Sequence, residues 1–301
     1  MDPHHLRLLR ELGDRGSVAA VARALHITPS AVSQQLNTLQ RSSRVPLTER
    51  RGRRLALTDA GRALATAAVD VMTALDRASR AVGEYLDDPA APVSVAAFNS
   101  AALAMFAPLV ARLAASGGPR VHLCDQDVTQ ADFPALAADF DLVLAHRPAH
   151  SPPWPADRVT VLPLLHEPLY VAMPAAHPLA AAPSLSVSDI SDEPWISVQE
   201  GFPVAASLTA VVAAAGRPLN ILHRINEFTV AASLVASGAA LALLPGYTTP
   251  PDPRLVLRPL ADVPASRHID ILTRPESLHR TAVRTVADTL RAIATDLAAP
   301  R

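Results

Sequence analysis

The chain has 301 residues, half of them hydrophobic and 18% charged, so it can bury two or three domain cores and is not disordered. Its single cysteine excludes an intrachain disulfide and a cysteine-based metal cluster. All 27 basic residues are arginine, so any phosphate contact must come from guanidinium groups, polar side chains or backbone amides. Residues 1–60 carry ten arginines against five acidic residues, whereas the rest of the chain has an excess of acids. This asymmetry predicts that only the N-terminal part meets a polyanion.

The first sixty residues are predicted to form three short helices and a two-stranded wing. Leucines give the first helix an apolar face, and Gly13 and Gly16 end it. Ser17 is the predicted N-cap of a second short helix. Thr28 and Pro29 are a favourable N-cap and first position for a third helix, Ser30 to Arg41. The basic turn that follows, residues 49–54, fits a wing. These features predict an all-α winged helix-turn-helix over residues 1–60.

A long helix is predicted to follow, from Thr58 and Asp59 to about Leu86, and residues 58–87 are assigned as a linker. Its apolar residues step by four and three, as in a helix packed lengthwise on another helix. They are Leu64, Ala68, Val71, Leu75, Ala78, Val82 and Leu86. The helix could instead lie on its own domain. A seam between two copies is favoured because no nearby segment offers a partner of that length, so the chain is expected to form a homodimer or a tetramer built from two dimers.

After a proline-rich linker at residues 87–92, strands alternate with helices. This alternation predicts a mostly parallel sheet. Residues 92–301 are assigned to one domain, with a first lobe at 92–163 and 264–301 and an inserted second lobe at 164–263. The uncharged segment Phe228–Pro251 is long enough to cross a membrane, but the breaks at Ser237-Gly238 and Pro245-Gly246 favour a buried helix, a turn and a short strand. No membrane partner is predicted.

The helix from Ser30 to Arg41 has two contrasting faces. Val32, Leu36 and Leu39 share an apolar back. The front is polar, and its Gln and Asn side chains can pair bidentately with adenine in a major groove. A polar helix face by itself is usually only solvated, but the short preceding helix, the tight connection and the basic wing together favour double-stranded DNA. The predicted DNA-binding residues are Thr28, Ser30, Ser33, Gln34, Asn37, Arg41, Arg50, Arg51, Arg53 and Arg54.

Two runs in this region resemble a known family. Residues 16–36, which read GSVAAVARALHITPSAVSQQL, are similar to the signature of LysR-type transcriptional regulators. Residues 45–61, which read VPLTERRGRRLALTDAG, resemble that family's wing and the start of its linker helix. The resemblance is strong over residues 4–64 and weaker in three later runs, at residues 167–169, 177–180 and 239–245. The chain departs from the family pattern at three places. Gln40 stands where the family usually has glutamate, and Thr48 stands where it usually has a large apolar residue. Residues 41–44 also differ from the usual family sequence.

For the second domain, the resemblance implies a two-lobed α/β fold like that of periplasmic binding proteins, with a small-molecule effector in the cleft between the lobes. Several polar residues follow predicted strands or begin helices, where open α/β sheets generally bind ligands. Singly, each is more often a helix cap than a ligand. The candidate effector-binding residues are Asn99, Ser100, Gln126, Ser197, Gln199, Glu200, Asn226 and Thr229.

Two other classes of function fit the sequence less well. An enzyme is disfavoured because no nucleophile-elbow pattern surrounds a serine and no phosphate-binding glycine loop is present. No catalytic residue, cofactor or metal is predicted. A transport or storage binding protein is disfavoured by the basic wing and by the lack of an export signal at the N-terminus, which predicts a cytoplasmic protein. The sequence leaves open the effector, the operator, activation against repression, and dimer against tetramer.

Overall fold

In a computed structural model, which describes residues 1–51, 54–83, 88–263 and 265–299, the N-terminal region is a winged helix-turn-helix. Asp2, Ser17 and Thr28 each accept a hydrogen bond from a backbone N–H of the helix that they begin. Ser17 and Thr28 are therefore N-caps as predicted, and Asp2 caps α1 in the same way. The elements are α1 Pro3–Arg15, α2 Val18–Ala24, α3 Pro29–Arg41, β1 Thr48–Arg51 and β2 Arg54–Leu57, followed by the long helix α4 Asp59–Gly83.

The turn between α2 and α3 depends on one residue in the left-handed region. His26 has φ of 53°, the only positive value outside glycine among the described residues. The wing is joined to α4 just as tightly, because a Cβ placed on Gly61 would lie 1.9 Å from the carbonyl oxygen of Leu47. Only glycine fits at that approach.

The first half of α4 belongs to the core of the winged helix. Ala68 is fully buried and Leu64 is half-buried, both in the cluster that contains Leu9 of α1. The premise that no nearby segment pairs with α4 is therefore wrong for this half. Farther along the helix, Val71 is 37% and Leu75 is 43% exposed. The side chains of Ala78 and Val82, and Leu86 as a whole, lie outside the described part of the chain.

The remaining elements form a two-lobed α/β domain. Its first part contains β3 Val93–Ala97, α5 Asn99–Ser116, β4 Val121–Asp125, α6 Phe133–Leu136 and β5 Leu142–Pro148. Its middle part contains β6 Thr160–Pro174, α7 Val187–Ile190, β7 Pro194–Ser197, α8 Pro203–Ala215, β8 Asn220–Arg224, α9 Phe228–Ala236, β9 Leu241–Pro245 and β10 Leu255–Arg258. The chain ends with β11 Ser266–Thr273 and α10 Thr281–Ala298.

The strands form one mixed sheet rather than the mostly parallel sheet that was predicted. Their order is β4-β3-β5-β11-β6-β9-β7-β8, and β10 also pairs with β6. Pairing is parallel within β4-β3-β5 and within β9-β7-β8, but every contact of β6 and β11 is antiparallel. The antiparallel pairs arise because these two strands pass between the halves of the sheet instead of following a helical crossover.

The two largest hydrophobic cores of this domain lie on either side of the place where β6 and β11 cross between the halves of the sheet. One packs α5 and α10 against β3, β5 and β11, and includes Met105 and Val283. The other packs α7 and α8 against β6, β7 and β9, and includes Trp195. The predicted lobe boundary at residues 163 and 164 falls inside β6, which contributes to both cores, and the domain boundaries drawn from the sequence stay predictions.

One helix among the described residues, α5, is long and apolar enough to cross a membrane by length and composition. In this fold Met105, Leu109 and Leu113 of that helix are buried in the first core. The apolar segment singled out in the sequence, Phe228–Pro251, folds into a helix, α9, a turn at Gly238 and a short strand, β9, as expected, but α9 is buried only on the side of Ala231 and Val235.

Candidate DNA-binding surface and effector cleft

Helix α3 separates its apolar back from its polar front. Val32, Leu36 and Leu39 are at most 5% exposed, in the core of the winged helix. The opposite side faces solvent with Ser30, Gln34, Asn37 and Arg41, while Ser33 is half-buried and bonds to the carbonyl of Pro29 at 3.0 Å. Thr28 caps the helix through Ala31 N–H and lies 2.9 Å from the Ser30 hydroxyl. The exposed front presents donors and acceptors of the kind that read base edges.

Gln40 ties α3 to the wing. Its Nε2 donates to the Val45 carbonyl at 2.9 Å, and its Oε1 accepts from Leu47 N–H at 2.7 Å. A glutamate, the usual family residue, could accept the second bond but could not donate the first. The departure noted in the sequence therefore fits this local geometry, in which the amide satisfies one donor and one acceptor at the start of the wing.

The wing carries the predicted phosphate-binding arginines. Arg50 is exposed, and Arg51 Nε lies 2.7 Å from Glu49 Oε1 in an exposed ion pair. Arg53 lies outside the described residues, as does the side chain of Arg54, whose backbone belongs to β2. Exposed ion pairs contribute little to stability, so Arg51 can exchange Glu49 for a phosphate at small cost.

A small cavity of about 20 Å³ lies between the two lobes. Three of the sequence-predicted residues line it, namely Asn99, Ser100 and Asn226. Asn99 Nδ2 donates to Glu227 Oε2 at 2.5 Å, a hydrogen bond that joins α5 of the first lobe to the start of α9 in the second. The lobes are therefore in contact, and the cavity is closed to anything much larger than a water molecule.

The floor of this cleft is a buried ion pair. Arg267 of β11 is 1% exposed and Glu167 of β6 is fully buried, and their closest nitrogen and oxygen atoms are 2.7 Å apart. Arg267 Nη2 also donates to the hydroxyls of Ser100 at 2.9 Å and Thr248 at 3.0 Å. Glu167 Oε1 accepts from the backbone N–H groups of Tyr247 and Thr248. Ser100, predicted as an effector ligand, is thus held by a cation that Glu167 already neutralises.

Aromatic rings and a histidine surround the same guanidinium. Its carbon lies 5.0 Å from the ring centre of Phe98 and 5.6 Å from that of Phe228, so one ring from each lobe contacts the cation. Burial and the nearby charge of Arg267 hold the pKa of His146 well below its usual value. Neutral His146 can therefore accept at Nδ1 from Arg267 Nη1, 3.3 Å away.

The cleft also contains a carboxylate pair near its edge. Burial, followed by the charge of Glu227, raises the pKa of Asp127. Asp127 and Asn99 both line the cavity, and Glu227 bonds to Asn99. The described part of the cleft therefore combines one neutralised cation with two neighbouring acids.

The other effector candidates do not line this cavity. Gln126 Nε2 contacts Cys124 Sγ at 3.1 Å, Ser197 bonds to the Val198 carbonyl, and Thr229 bonds to Glu227 at the N-terminus of α9. Gln199 N–H donates to Asn226 Oδ1 at 2.8 Å, and Glu200 is exposed. Ser197, Gln199 and Thr229 thus take part in local turn or cap bonding, the common role of such residues.

Sequence reasoning missed Arg267, Glu167, His146 and Thr248. A signal existed for Arg267, because it alternates with Ile269 and Ile271 on the buried side of β11. A charged residue in that register predicts a buried partner.

Comparison with protein families identifies both parts of the chain. Residues 3–62 match the model described as a bacterial regulatory helix-turn-helix protein of the LysR family, and residues 87–294 match the LysR substrate binding domain. The small neutral protease regulatory protein of Streptomyces coelicolor is 29% identical over 90% of this chain and 86% of its own length. The transcriptional dual regulator GltC of Bacillus subtilis is 25% identical over 82% of each chain.

Solved structures share the fold. A full-length OxyR variant from Pseudomonas aeruginosa superposes with a TM-score of 0.66 at 21% identity, covering 97% of this chain and 95% of that one. CbnR in complex with its target DNA gives a TM-score of 0.51 at 22% identity, covering 95% and 100% of the two chains. The chain therefore belongs to the LysR-type transcriptional regulators, which are effector-responsive DNA-binding proteins and not enzymes.

Proposed function

We propose that α3 of this regulator reads operator bases through Ser30, Gln34 and Asn37, while Thr28, Ser33, Arg41 and the wing arginines Arg50, Arg51, Arg53 and Arg54 position it on the phosphates. The observation that carries the proposal is the division of α3 into a buried apolar back and an exposed, mainly uncharged front. Uncharged amides and hydroxyls discriminate bases, whereas arginines on the protein surface neutralise phosphates without reading sequence.

The effector site is assigned to the interlobe cleft around Ser100, with Asn99 and Asn226 as neighbouring contacts. Support comes from the cavity that these residues line and from the hydrogen bond between Ser100 and Arg267. An effector that enters must open the contact between Asn99 and Glu227, so its binding changes how the lobes meet. The remaining candidates would contact the effector only in an opened cleft; they are Gln126, Ser197, Gln199, Glu200 and Thr229. The protein is expected to act in the cytoplasm, where the operator lies.

Binding to cognate and scrambled DNA across a salt series tests the DNA assignment. Gln34→Ala should weaken cognate binding by roughly 1–3 kcal/mol and scrambled binding much less. Arg50→Gln should weaken both DNAs alike and flatten the slope of log K against log salt by about one unit. Thr38 is an exposed neighbour on α3 whose hydroxyl bonds to the Gln34 carbonyl, and Thr38→Ala is the matched control. Equal weakening of both DNAs by Gln34→Ala contradicts the assignment of base reading.

A thermal-shift screen of small metabolites tests the cleft, because a ligand of the folded state raises the melting temperature. For any metabolite that shifts the wild type, Ser100→Ala should reduce the shift while operator binding without ligand is retained. Ser116→Ala removes a serine at the far end of α5, remote from the cleft, and serves as the control. A shift that survives Ser100→Ala places the ligand elsewhere.

A further inference from the structure

Helix α1 has a second, charged face that contacts the effector domain. Arg10, Glu11, Asp14 and Arg15 are spaced so that they lie on one side of the helix, away from its leucine core. Their partners outside α1 all come from the first lobe, in three loops that precede or follow strands of the sheet. These partners are Ala138, Asp139, Arg158, Arg274 and Glu276.

Arg274 is the centre of this contact. It follows β11 directly and bridges two acids of α1, with Nη1 2.8 Å from Glu11 Oε1 and Nη2 3.0 Å from Asp14 Oδ2. Such a two-pronged contact uses the planar geometry of guanidinium, which one lysine ammonium cannot reproduce. Arg274 therefore fixes both the distance and the angle between α1 and the end of β11.

The reciprocal contacts come from arginines of α1. Arg15 bonds to Glu11 within the helix at 2.6 Å and to Asp139 of the first lobe at 2.7 Å, and its Nη2 donates to the Ala138 carbonyl at 2.9 Å. Arg10 Nη1 lies 2.8 Å from Glu276 Oε1. Cations and anions thus alternate across the interface, so that each charged side chain of one domain faces an opposite charge of the other.

Burial makes these charges depend on the docked arrangement. Glu11 is 2% and Arg10 5% exposed. Burial alone raises the pKa of Glu11, but the charge of Arg274 and the hydrogen bonds from Arg15 and Arg274 outweigh it, so the pKa lies below its usual value. A buried charge that loses its partner is strongly destabilising unless water reaches it. Removing Arg274 therefore favours separation of the two surfaces, which hydrates Glu11 and Asp14.

The interface can separate without exposing a large apolar core. Next to the ion pairs, a polar cavity of about 360 Å³ lies between α1, α4 and the first lobe, lined in part by Arg7, Met72 and Ser94. Contacts between domains that are polar and loosely packed are those that open and close readily. This surface has the character of a reversible contact rather than that of a permanent core.

The same strand connects the contact with the effector cleft. Arg267, on the cleft floor, and Ile269 and Ile271, in the first core, belong to β11, and Arg274 follows the last residue of that strand. A hydrogen-bonded central strand moves as a rigid element, so a shift at Arg267 reaches Arg274.

We propose that the charged face of α1 is a reversible latch, in which Arg274 and Arg15 dock the winged helix onto the first lobe of its own chain and restrain the direction in which α3 points. Opening the latch releases the winged helix, together with the first half of α4, to reorient relative to the first lobe. This last step rests on the effector site proposed above: through β11, the state of the cleft acts on the DNA-binding domain at the latch.

Spin-label distances in the full-length protein test the latch. In a Cys124→Ser background, labels at His4→Cys on α1 and Arg291→Cys on α10 report how the winged helix sits on the first lobe, and dilution with unlabelled chains removes distances between copies. Arg274→Lys, Arg274→Gln and Arg274→Glu weaken the contact in steps. Arg280→Gln is the matched control, because Arg280 forms an ion pair with Asp141 at 2.6 Å inside the effector domain.

The wild type and Arg280→Gln should give one narrow distance. Arg274→Lys should broaden it, and Arg274→Gln and Arg274→Glu should lose it, with the helical circular dichroism signal unchanged. If Arg274→Glu does not fold, Arg15→Gln should abolish the narrow distance in the same way. A narrow wild-type distance retained in folded Arg274→Gln and Arg15→Gln overturns the proposal, as does a broad distance in the wild type.

Discussion

Glu167→Gln should destabilise the effector domain strongly, because it leaves the charge of Arg267 buried without a partner. Glutamine can still accept the hydrogen bonds from Tyr247 and Thr248 N–H that Glu167 Oε1 accepts. What is lost is the negative charge 2.7 Å from a guanidinium that is 1% exposed. Breaking a buried pair in this way costs about 3–5 kcal/mol. With a urea slope of roughly 2–3 kcal/mol/M for a domain of this size, the unfolding midpoint should fall by about 1–2.5 M.

Tryptophan fluorescence during urea unfolding measures this domain selectively. The two tryptophans, Trp154 and Trp195, both lie in the effector domain, one in each core. The double variant Glu167→Met with Arg267→Met removes both charges and should recover much of the lost stability. Arg112→Gln breaks an exposed ion pair with Asp296 in the first lobe and should move the midpoint only slightly.

Comparable midpoints for Glu167→Gln and Arg112→Gln would refute the reasoning, since they mean that Arg267 is hydrated or finds another acceptor. A double variant no more stable than Glu167→Gln would show that the loss comes from packing and not from the unpaired charge.

Two further predictions concern the linker helix and pH. Leu75→Arg places a charge on the exposed stretch of α4 and should yield monomer in sedimentation experiments. Arg62→Glu, at an exposed position nearer the winged helix, should leave the oligomer intact. A stable oligomer after Leu75→Arg would contradict the assignment of α4 as the contact between two copies. Because the pKa of His146 is lowered in the folded state, protons bind the unfolded chain first, and the stability of the effector domain should fall as pH drops through about 6.5. His146→Phe should make the free energy of unfolding depend less on pH, whereas a substitution of the exposed His223 should not. If the free energy of unfolding of His146→Phe varies with pH as it does in the wild type, other groups cause the dependence.

Local signals predicted the winged helix well. N-caps, a proline at the first helical position and a glycine after a helix end act over four or five residues, and α2 and α3 begin at the predicted caps Ser17 and Thr28. The first helix ends at Gly16 as predicted but runs through Gly13, which was also expected to end it. The same locality explains why the alternation of strands and helices predicted for the effector domain is observed.

Strand direction and the cleft were less accessible to sequence reasoning. Whether two strands run parallel depends on how the chain returns, and β11 pairs with strands about a hundred residues or more before it. The cleft was assigned from helix starts, which found Asn99, Ser100 and Asn226, but its floor is set by Arg267 and Glu167, one hundred positions apart in sequence. No local pattern joins two such residues, although each taken alone is a charged side chain in a buried register.

The length of β6 has a mechanical consequence for how the lobes move. Its fifteen residues run without interruption from one core to the other, and register with β11 shifts so that Leu164 has no partner there. Such a bulge bends a strand and increases its local twist. Pro163 and Pro168 flank that point and lack the N–H that would stiffen the ladder. The bend of β6 is thus concentrated within a few residues of Leu164, whereas β11 keeps one register with β5 from Arg267 to Leu272, and a ligand that parts the lobes works against the twist of both strands that cross between them.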